Sequence, residues 1–249
     1  MLKKRIIPIV TIDGFSAVKT KNFNVRRNVG SIHTVLNTFN TRNVDELILI
    51  DIDASRHDRC IDPFLVGDVT SECFMPMTVG GGISKISDIE MLLRRGADKV
   101  SLNNLLLNGP EIVREAVREF GSQCIVASID VKMIEGHYYV LDHLKSEYHK
   151  AETKIRDILD LGIGELLVTN IDRDGTMLGY DQELARVICD LSSVPVIYSG
   201  GASDDESFAR LSSETRVSAF GASSIFYFSD ITPDFIRKRL NQAGVPVRT

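Results

Sequence analysis

The chain has 249 residues, 43% of them hydrophobic, which is enough for a large core. Its net charge of −5 gives no reason to expect a nucleic acid or an anionic membrane surface as a partner. The first strand-like run is too short to span a membrane and lacks a small-residue cleavage site, so we expect a cytoplasmic protein.

Eight short runs rich in β-branched residues predict strands. Their nearly continuous apolar character is typical of parallel strands that are covered on both faces. The runs are Ile6–Ile12, Leu47–Ile52, Met77–Val79, Val100–Leu102, Ile125–Ile129, Leu166–Asn170, Pro195–Tyr198 and Val217–Phe220. Helical patterns lie between most of them, the clearest being Ser87–Gly96, Pro110–Phe120, Asp181–Leu191 and Pro233–Gln242. No Pro/Gly/Ser-rich linker divides the chain, so we expect one domain over residues 1–249.

The second half of the chain repeats the order of the first. The repeated segments are Thr78–Ser84 with Tyr198–Ala202, Leu47–Asp53 with Leu166–Asp172, and Ile9–Asp13 with Val126–Asp130. Duplicated strand–helix units of this kind predict one closed (β/α)8 TIM barrel. Its half-barrels are expected at about residues 1–120 and 121–249.

Two connections, Gly14–Gly30 and Met133–Lys150, are longer than a barrel needs. Long loops that follow barrel strands lie on the catalytic face. The second connection also has the pattern of a small hairpin, with Tyr138–Leu141 following Glu135-Gly136. Its histidines lack the spacing of metal ligands, and we interpret them as solvated loop residues; they are His137, His143 and His149.

The cysteines show no Cys-x-x-Cys spacing; they are Cys60, Cys73, Cys124 and Cys189. This pattern favours buried thiols in a reducing compartment over a disulfide or zinc framework. We expect neither a metal nor a cofactor.

Glycines at two strand ends predict two phosphate cradles. Gly80–Gly82 and Ser199–Gly201 each end a strand and precede a helix, so that backbone N–H groups can approach an anion. We expect Gly82 to act with Asn103, and Gly201 with Ser223 or Ser224. The full set assigned to phosphate binding is Gly81, Gly82, Ser101, Asn103, Asp174, Gly175, Thr176, Ser199, Gly200, Gly201, Ser223 and Ser224.

Carboxylates follow the fifth and sixth predicted strands. Asp130 ends the fifth, and Asp172–Thr176 ends the sixth. Carboxylates at strand ends in a barrel mouth can act as general acids or bases. Asp174 precedes Gly175, which is typical of a turn. For Asp130 we favour a catalytic role.

These segments together resemble the cyclase subunit of imidazole glycerol phosphate synthase, the ammonia-using enzyme of histidine synthesis. The resemblance covers essentially the whole chain. It rests on Lys4–Ile7, Val18-Lys19, Asn22-Phe23, Val79–Ile83, Arg95–Ser101, Phe120–Gln123, Ile129-Asp130, Ile171–Thr176 and Ser199–Ala202. It implies a bisphosphorylated ribulosyl-aminoimidazole carboxamide substrate and two strand-end aspartates as the general acid and base.

The chain departs from the family pattern at one of these aspartates. The second matches Asp130, but Thr11 occupies the position of the first, and threonine does not exchange a proton near neutral pH. Asp13 lies two residues further along the same strand, a step of roughly 6.5 Å, and is a candidate substitute. The catalytic assignment is Asp130, Asp13, Thr11 and Lys19.

Four charged residues stand immediately before strands: Arg5, Glu46, Lys99 and Glu165. They are either solvated strand starts or a set that meets at the N-terminal mouth of the barrel. The resemblance implies a salt-bridged gate there, on an ammonia channel that faces a glutaminase subunit. It also places Asp98 and Gln123 near that docking face.

An intact gate with a changed catalytic pair resembles paralogues of the cyclase in surface-polysaccharide pathways, in which ammonia serves the amidination of a sugar. We therefore favour an ammonia-conducting, cyclase-like amidotransferase component with weak or altered cyclisation. Two alternatives remain open. One is the histidine-pathway cyclase, using Asp13 with Asp130, and the other is a non-catalytic scaffold that binds a phosphorylated sugar.

Overall fold

The computed structural model describes residues 3–42 and 44–248. Its strands are β1 (Arg5–Asp13), β2 (Ser16–Lys19), β3 (Arg27–Ser31), β4 (Leu47–Asp51), β5 (Met77–Gly80), β6 (Lys99–Leu102), β7 (Ile125–Ile134), β8 (His137–Asp142), β9 (Glu147–Lys150), β10 (Glu165–Asn170), β11 (Val196–Ser199) and β12 (Ala219–Ala222). Eight of them pair in parallel in the order β1-β4-β5-β6-β7-β10-β11-β12, and β12 returns to β1. The predicted (β/α)8 barrel is confirmed.

Helices connect the barrel strands and cover the outside of the sheet. They are α1 (Ile32–Thr41), α2 (Pro63–Glu72), α3 (Ile86–Arg94), α4 (Asn104–Asn108), α5 (Pro110–Phe120), α6 (Ala151–Leu159), α7 (Gln182–Leu191), α8 (Asp205–Glu214), α9 (Ser224–Phe228) and α10 (Pro233–Gln242). Local sequence sets their ends: Asp181 caps α7 by accepting from the Leu184 N–H, and Thr232 caps α10 in the same way. No helix in the described ranges is both long and apolar enough to cross a membrane.

The two long connections form hairpins at the C-terminal ends of the strands. β2 and β3 fold back antiparallel on the end of β1, and β8 and β9 do the same on β7. The predicted turn at Glu135-Gly136 is present, with φ of 49° and 79° at the two residues. Among the barrel strands, the start of β12 differs most from its prediction, at Ala219 instead of Val217. Val217 is buried just before the strand, which explains its strand-like signal.

Apolar side chains fill two separate layers. The larger cluster lies between the sheet and the helices. The smaller one lies inside the barrel and comprises Ile7, Ile9, Ile48, Val126, Leu167, Ile197 and Ala219. Side chains alternate between the two faces of a strand. Residues an even number of positions from a member of the inner cluster therefore also point into the barrel, at one or other of its ends.

Matching glycines place the two half-barrels in register. A Cβ on either glycine would lie 2.6 Å from a backbone carbonyl oxygen of the neighbouring strand, so only glycine fits at both positions. The two contacts are Gly81 with Asp51, and Gly200 with Asn170. Ile50 and Thr169, the residues immediately before Asp51 and Asn170, therefore occupy equivalent positions in the two half-barrels.

This register corrects one of the predicted repeat pairs. Thr11 pairs with Ile50, and Asp130 pairs with Thr169. Thr11 is therefore the counterpart of Asp130. The predicted pairing of Asp13 with Asp130 is wrong by two residues, because the shared Ile-Asp dipeptide outweighed the strand register in the sequence comparison.

Candidate active site

A cavity of about 540 Å³ opens at the C-terminal end of the barrel. Hydroxyl groups line much of it, contributed by Thr11, Thr20, Ser55, Ser101, Ser128, Ser146, Thr169, Ser199 and Ser223. Its volume lies within the range of small-molecule sites. A lining so rich in hydroxyl groups suits a polar ligand that carries many hydrogen-bonding groups of its own, such as a sugar derivative.

Asp130 is held in this cavity at the point where β7 leaves the barrel and enters its hairpin. Its Oδ2 atom accepts hydrogen bonds from Asn103 Nδ2 at 3.0 Å and lies 2.8 Å from His143 Nε2. The Asn103 amide also donates to the Ser128 carbonyl at 3.0 Å, which fixes its orientation. The carboxylate is buried and directed by two neighbours, while its Oδ1 atom has no hydrogen-bond partner within residues 3–42 and 44–248.

His143 directly follows β8 and reaches back into the cavity. Its ring stacks on Phe23, with centroids 6.2 Å apart and an interplanar angle of 26°. Burial lowers the pKa of His143, but the hydrogen bond and charge of Asp130 outweigh it, so that the pKa is raised above 6.5. His143 is a loop residue with a 36% exposed side chain, as the sequence interpretation implies, but that interpretation did not anticipate its contact with Asp130. The hairpin pattern was the available signal, since antiparallel pairing of β8 with β7 brings the end of β8 back toward Asp130.

The two candidate first residues of the catalytic pair have different surroundings. Thr11 lines the cavity, and its hydroxyl donates to the Val18 carbonyl at 2.5 Å. The Asp13 side chain is 42% exposed, pairs with Arg26 at 2.6 Å and is not among the cavity-lining residues. The end of β1 therefore presents a hydroxyl group to the cavity, while its carboxylate is engaged at the rim.

Lys19 and Asp174 lie at another side of the same cavity. Burial lowers the pKa of Lys19 to about 8, against the opposing charge of Asp174. Burial also raises the pKa of Asp174, and this shift is opposed by Lys19 and by the Thr20 hydroxyl, which donates to Asp174 Oδ2 at 2.7 Å. Lys19 is therefore partly neutral in mildly alkaline solution.

The predicted cradle residues lie at two rims of the site. On the first, Gly81, Gly82, Ser101 and Asn103 line the main cavity. On the second, a small adjoining cavity of about 20 Å³ is lined by Asp174, Gly175, Ser199, Gly200, Gly201, Ser223 and Ser224, among others. Thr176 lines neither cavity, and its hydroxyl donates to the Arg173 carbonyl at 2.8 Å.

Close backbone contact explains the glycines at these rims. A Cβ on Gly82 would lie 1.8 Å from the Arg59 carbonyl oxygen, and one on Gly201 would lie 2.2 Å from that of Gly179. Their φ angles are 61° and 105°, a region that favours glycine. The Asn103 side chain is engaged with Asp130, so that only its backbone is available to an anion at the first rim.

The four charged residues predicted to precede strands meet in a closed ring at the opposite end of the barrel, where Arg5, Lys99 and Glu165 begin β1, β6 and β10 and Glu46 precedes β4. Arg5 contacts Glu46 at 2.8 Å and also pairs with Glu165, while Lys99 contacts the same two carboxylates at 3.1 and 3.0 Å. Their side chains are 8–22% exposed. Burial raises the pKa of Glu46, but Arg5 and Lys99 outweigh it, so that the net shift is downward.

Two other residues assigned to this end of the barrel have local partners. Asp98 Oδ2 accepts from the Met77 N–H at 2.8 Å, and Gln123 Nε2 donates to the Phe120 carbonyl at 3.3 Å. Both precede barrel strands and so lie on the same face as the ring. In the described ranges, no group of three or more His, Cys, Asp or Glu side chains is arranged to hold a metal ion.

Comparison with known proteins agrees with this geometry. Residues 5–232 match the family described as histidine biosynthesis protein. A Campylobacter jejuni protein named "Putative imidazole glycerol phosphate synthase subunit hisF2" is 38% identical over 261 residues. That alignment covers 100% of this chain and 99% of the Campylobacter protein.

Proposed function

Because the chain belongs to the histidine biosynthesis protein family, we propose that it is the ammonia-using, cyclase-like component of a glutamine amidotransferase. Its substrate in this proposal is a sugar-type molecule that carries one or two phosphate groups. The phosphates bind at the two glycine rims, and the reacting centre lies between them, beside Asp130. The cavity volume and its hydroxyl-rich lining support a substrate of this class.

The observation that carries the proposal is the ring of Arg5, Glu46, Lys99 and Glu165. Four partly buried charges are costly at the end of a barrel, where an apolar plug would close it without desolvation. A paired ring can instead open by a change of rotamer and admit a small polar molecule.

The layer above the ring also favours ammonia over ammonium. The inner cluster that contains Ile7, Ile48 and Leu167 separates the ring from the polar cavity. An apolar layer excludes a charged ion far more strongly than a small neutral molecule. Ammonia released below the ring would therefore reach Asp130 without being protonated in solvent.

The partner in this proposal is a glutaminase subunit docked on the N-terminal face, around the ring. The Campylobacter relative is itself named as a synthase subunit, which supports an assembly of this kind. Asp98 and Gln123 are proposed to lie near the docking face.

We propose further that cyclisation is weak or altered, because β1 carries Thr11 where the resembled enzyme carries a carboxylate. This favours a paralogue that serves sugar amidination in surface-polysaccharide synthesis. The histidine-pathway alternative requires Asp13 as the first carboxylate, and the pairing of Asp13 with Arg26 at 2.6 Å counts against it.

Ring variants test the proposal. The tagged chain is produced in its own cells with the glutaminase that co-purifies, and product formation is measured from glutamine and from ammonium salt. Lys99→Ala and Glu46→Ala should lower the glutamine-dependent rate and leave the ammonium-dependent rate nearly unchanged. Glu90→Ala is the matched control, since it breaks an exposed ion pair with Arg94 on α3.

Two outcomes would contradict the proposal. If both rates fell equally in the ring variants, the ring would be a structural feature of the barrel floor. If no glutaminase co-purified and no ammonium-dependent product formed, the scaffold alternative would be favoured.

A further inference from the structure

We propose that His143 and Asp130 form the proton-transfer pair of this site, with His143 as a catalytic residue in the role left open by Thr11. The inference rests on the proposed function only in taking the reaction to be an addition of ammonia. It concerns the acid–base groups at the C-terminal end of the barrel and needs neither the ring nor a glutaminase.

The geometry leaves one nitrogen of the ring available. His143 Nε2 lies 2.8 Å from Asp130 Oδ2, which fixes the proton on that nitrogen. His143 Nδ1 has no hydrogen-bond partner within residues 3–42 and 44–248. A carboxylate that orients one ring nitrogen while the other meets the substrate is a recurring catalytic arrangement. Both side chains line the cavity, so a ligand can reach them.

Two loops hold the imidazole in place. On one side, buried Asp142 accepts from the N–H groups of Leu144 and Lys145 at 3.0 and 3.2 Å, which fixes the turn that carries His143. Asn108 Nδ2 also donates to Asp142, at 3.2 Å. This network orders the turn independently of the contact with Asp130.

On the other side, Phe23 stacks on the imidazole from the loop between β2 and β3. Phe23 and its neighbour Asn22 have φ of 59° and 49°, a left-handed conformation that asparagine tolerates but that is costly for phenylalanine. Asn22 anchors this loop through its Nδ2 atom, which donates to the carbonyls of Ile171 and Asp172 at 3.1 and 2.8 Å. The unfavourable backbone conformation of Phe23 thus positions its aromatic ring against His143.

The charges around the pair favour an imidazolium. Asp130 and Asp142 attract a proton to His143, and Arg56 opposes them. Asp174, whose charge interacts with those of Lys19 and Asp130, lines the same cavity. The effects of Asp130 and Asp142 on the ring thus outweigh that of Arg56.

His143 and Asp130 can supply every proton transfer that the addition of ammonia requires. Addition of ammonia to a substrate carbonyl forms a C–N bond and converts the C=O π bond into an alkoxide. The Nδ1–H of the imidazolium gives its proton to that oxygen, and the new C–NH3⁺ group returns one proton to the ring. Asp130 remains ionised and stabilises the imidazolium throughout. The adduct is neutral at the reacting centre, and His143 ends in its starting state.

The test uses the ammonium-dependent reaction with the bisphosphorylated ribulosyl-aminoimidazole carboxamide as the probe, at constant free ammonia. His143→Asn and His143→Gln are compared with the wild type and with His33→Asn, which changes a histidine on the surface of α1. Glutamine retains an N–H donor toward Asp130 but cannot exchange a proton. We expect both His143 variants to lose about 10²-fold or more in kcat.

The pH profile separates catalysis from positioning. The wild-type kcat should fall as pH rises through the pKa of His143, and this limb should be absent in both variants. An active His143→Gln variant, an unchanged alkaline limb, or a wild type with no measurable turnover would each overturn the inference. Loss of coupling in the ring variants, by contrast, concerns only the proposed function, because the present assay contains no glutaminase.

Discussion

Thr11 and Asp130 occupy the same position in the two halves of the barrel, and both line the cavity. In a barrel with this internal symmetry, equivalent strand ends face the same reaction space from opposite sides. One of them carries a carboxylate and the other a hydroxyl group that donates to the Val18 carbonyl. Of these two equivalent strand ends, only the one with Asp130 therefore carries a side chain that can exchange a proton near neutral pH.

Removing the Asp13 carboxylate should have little effect on the ammonium-dependent rate, because Asp13 is paired with Arg26 outside the cavity lining. Asp130→Asn should instead lower kcat by about 10²–10⁴-fold. Steady-state assays with ammonium salt compare the two variants. A loss in Asp13→Asn as severe as that in Asp130→Asn would identify Asp13 as the substitute carboxylate.

Introducing the missing carboxylate should increase cyclisation. Thr11→Asp places an acid at the position equivalent to Asp130, and the rate with the bisphosphorylated ribulosyl substrate should rise by about 10-fold or more. Thr11→Asn is the matched control, since it has a similar size and no titratable proton. Equal rates in the two variants would show that the identity of this residue does not limit cyclisation.

The titration of His143 should depend on Asp130. The chain has five histidines, and the NMR signal that is lost in His143→Gln identifies His143. This signal should titrate with a pKa above 6.5, and Asp130→Asn should lower that pKa. Because the folded pKa is raised, the stabilisation is fully present below about pH 6.5 and is lost as pH rises through the folded pKa. A pKa unchanged by Asp130→Asn would contradict the pairing.

Lys19 should make stability rise with pH in an alkaline window. Its pKa falls from 10.5 to about 8 on folding, so that between these values the folded protein binds fewer protons than the unfolded chain. Lys19→Met should therefore be more stable than the wild type near pH 7, by up to about 3 kcal/mol, and the difference should shrink toward about pH 10. Urea unfolding at both pH values measures it. A difference that is constant with pH would contradict the lowered pKa.

The second rim should lose anion binding when a methyl group is added. Gly201→Ala places a Cβ 2.2 Å from the Gly179 carbonyl at a positive φ, which forces the rim backbone to move. We expect loss of phosphate protection in thermal unfolding and destabilisation by about 2–4 kcal/mol. Gly244→Ala is the control, because its φ of 77° is also positive but no atom lies within 4 Å. Equal effects of the two substitutions would show that the close contact is unimportant.

The fold was predictable because strand signals and glycines recur at fixed positions. The close approach of Gly81 and Gly200 to the neighbouring strands leaves room only for glycine, and this made the repeat visible in the sequence. The positions of Arg5, Glu46, Lys99 and Glu165 just before predicted strands placed them on one face, because the N-terminal ends of barrel strands converge there. The resemblance to the cyclase was needed to favour a ring over solvated strand starts.

The residues around Asp130 were less predictable. His143 reaches the site through a hairpin, and a contact across a hairpin depends on turn geometry that spacing alone does not specify. The exact register of β1 was also hidden, because Thr11 and Asp13 share a strand face and differ only by one two-residue step. Asp13 therefore matched the repeat in sequence although Thr11 matches it in structure.

A competition between two nitrogen sources tests the delivery of ammonia through the barrel most directly. The complex with its glutaminase is supplied with glutamine labelled with ¹⁵N at the amide and with an excess of unlabelled ammonium salt, and the product nitrogen is analysed by mass spectrometry. Delivery through the ring predicts product that is predominantly ¹⁵N-labelled in the wild type and in Glu90→Ala, and label diluted toward the solution ratio in Lys99→Ala. Product that carries the solution ratio in the wild type itself would contradict delivery through the ring of Arg5, Glu46, Lys99 and Glu165.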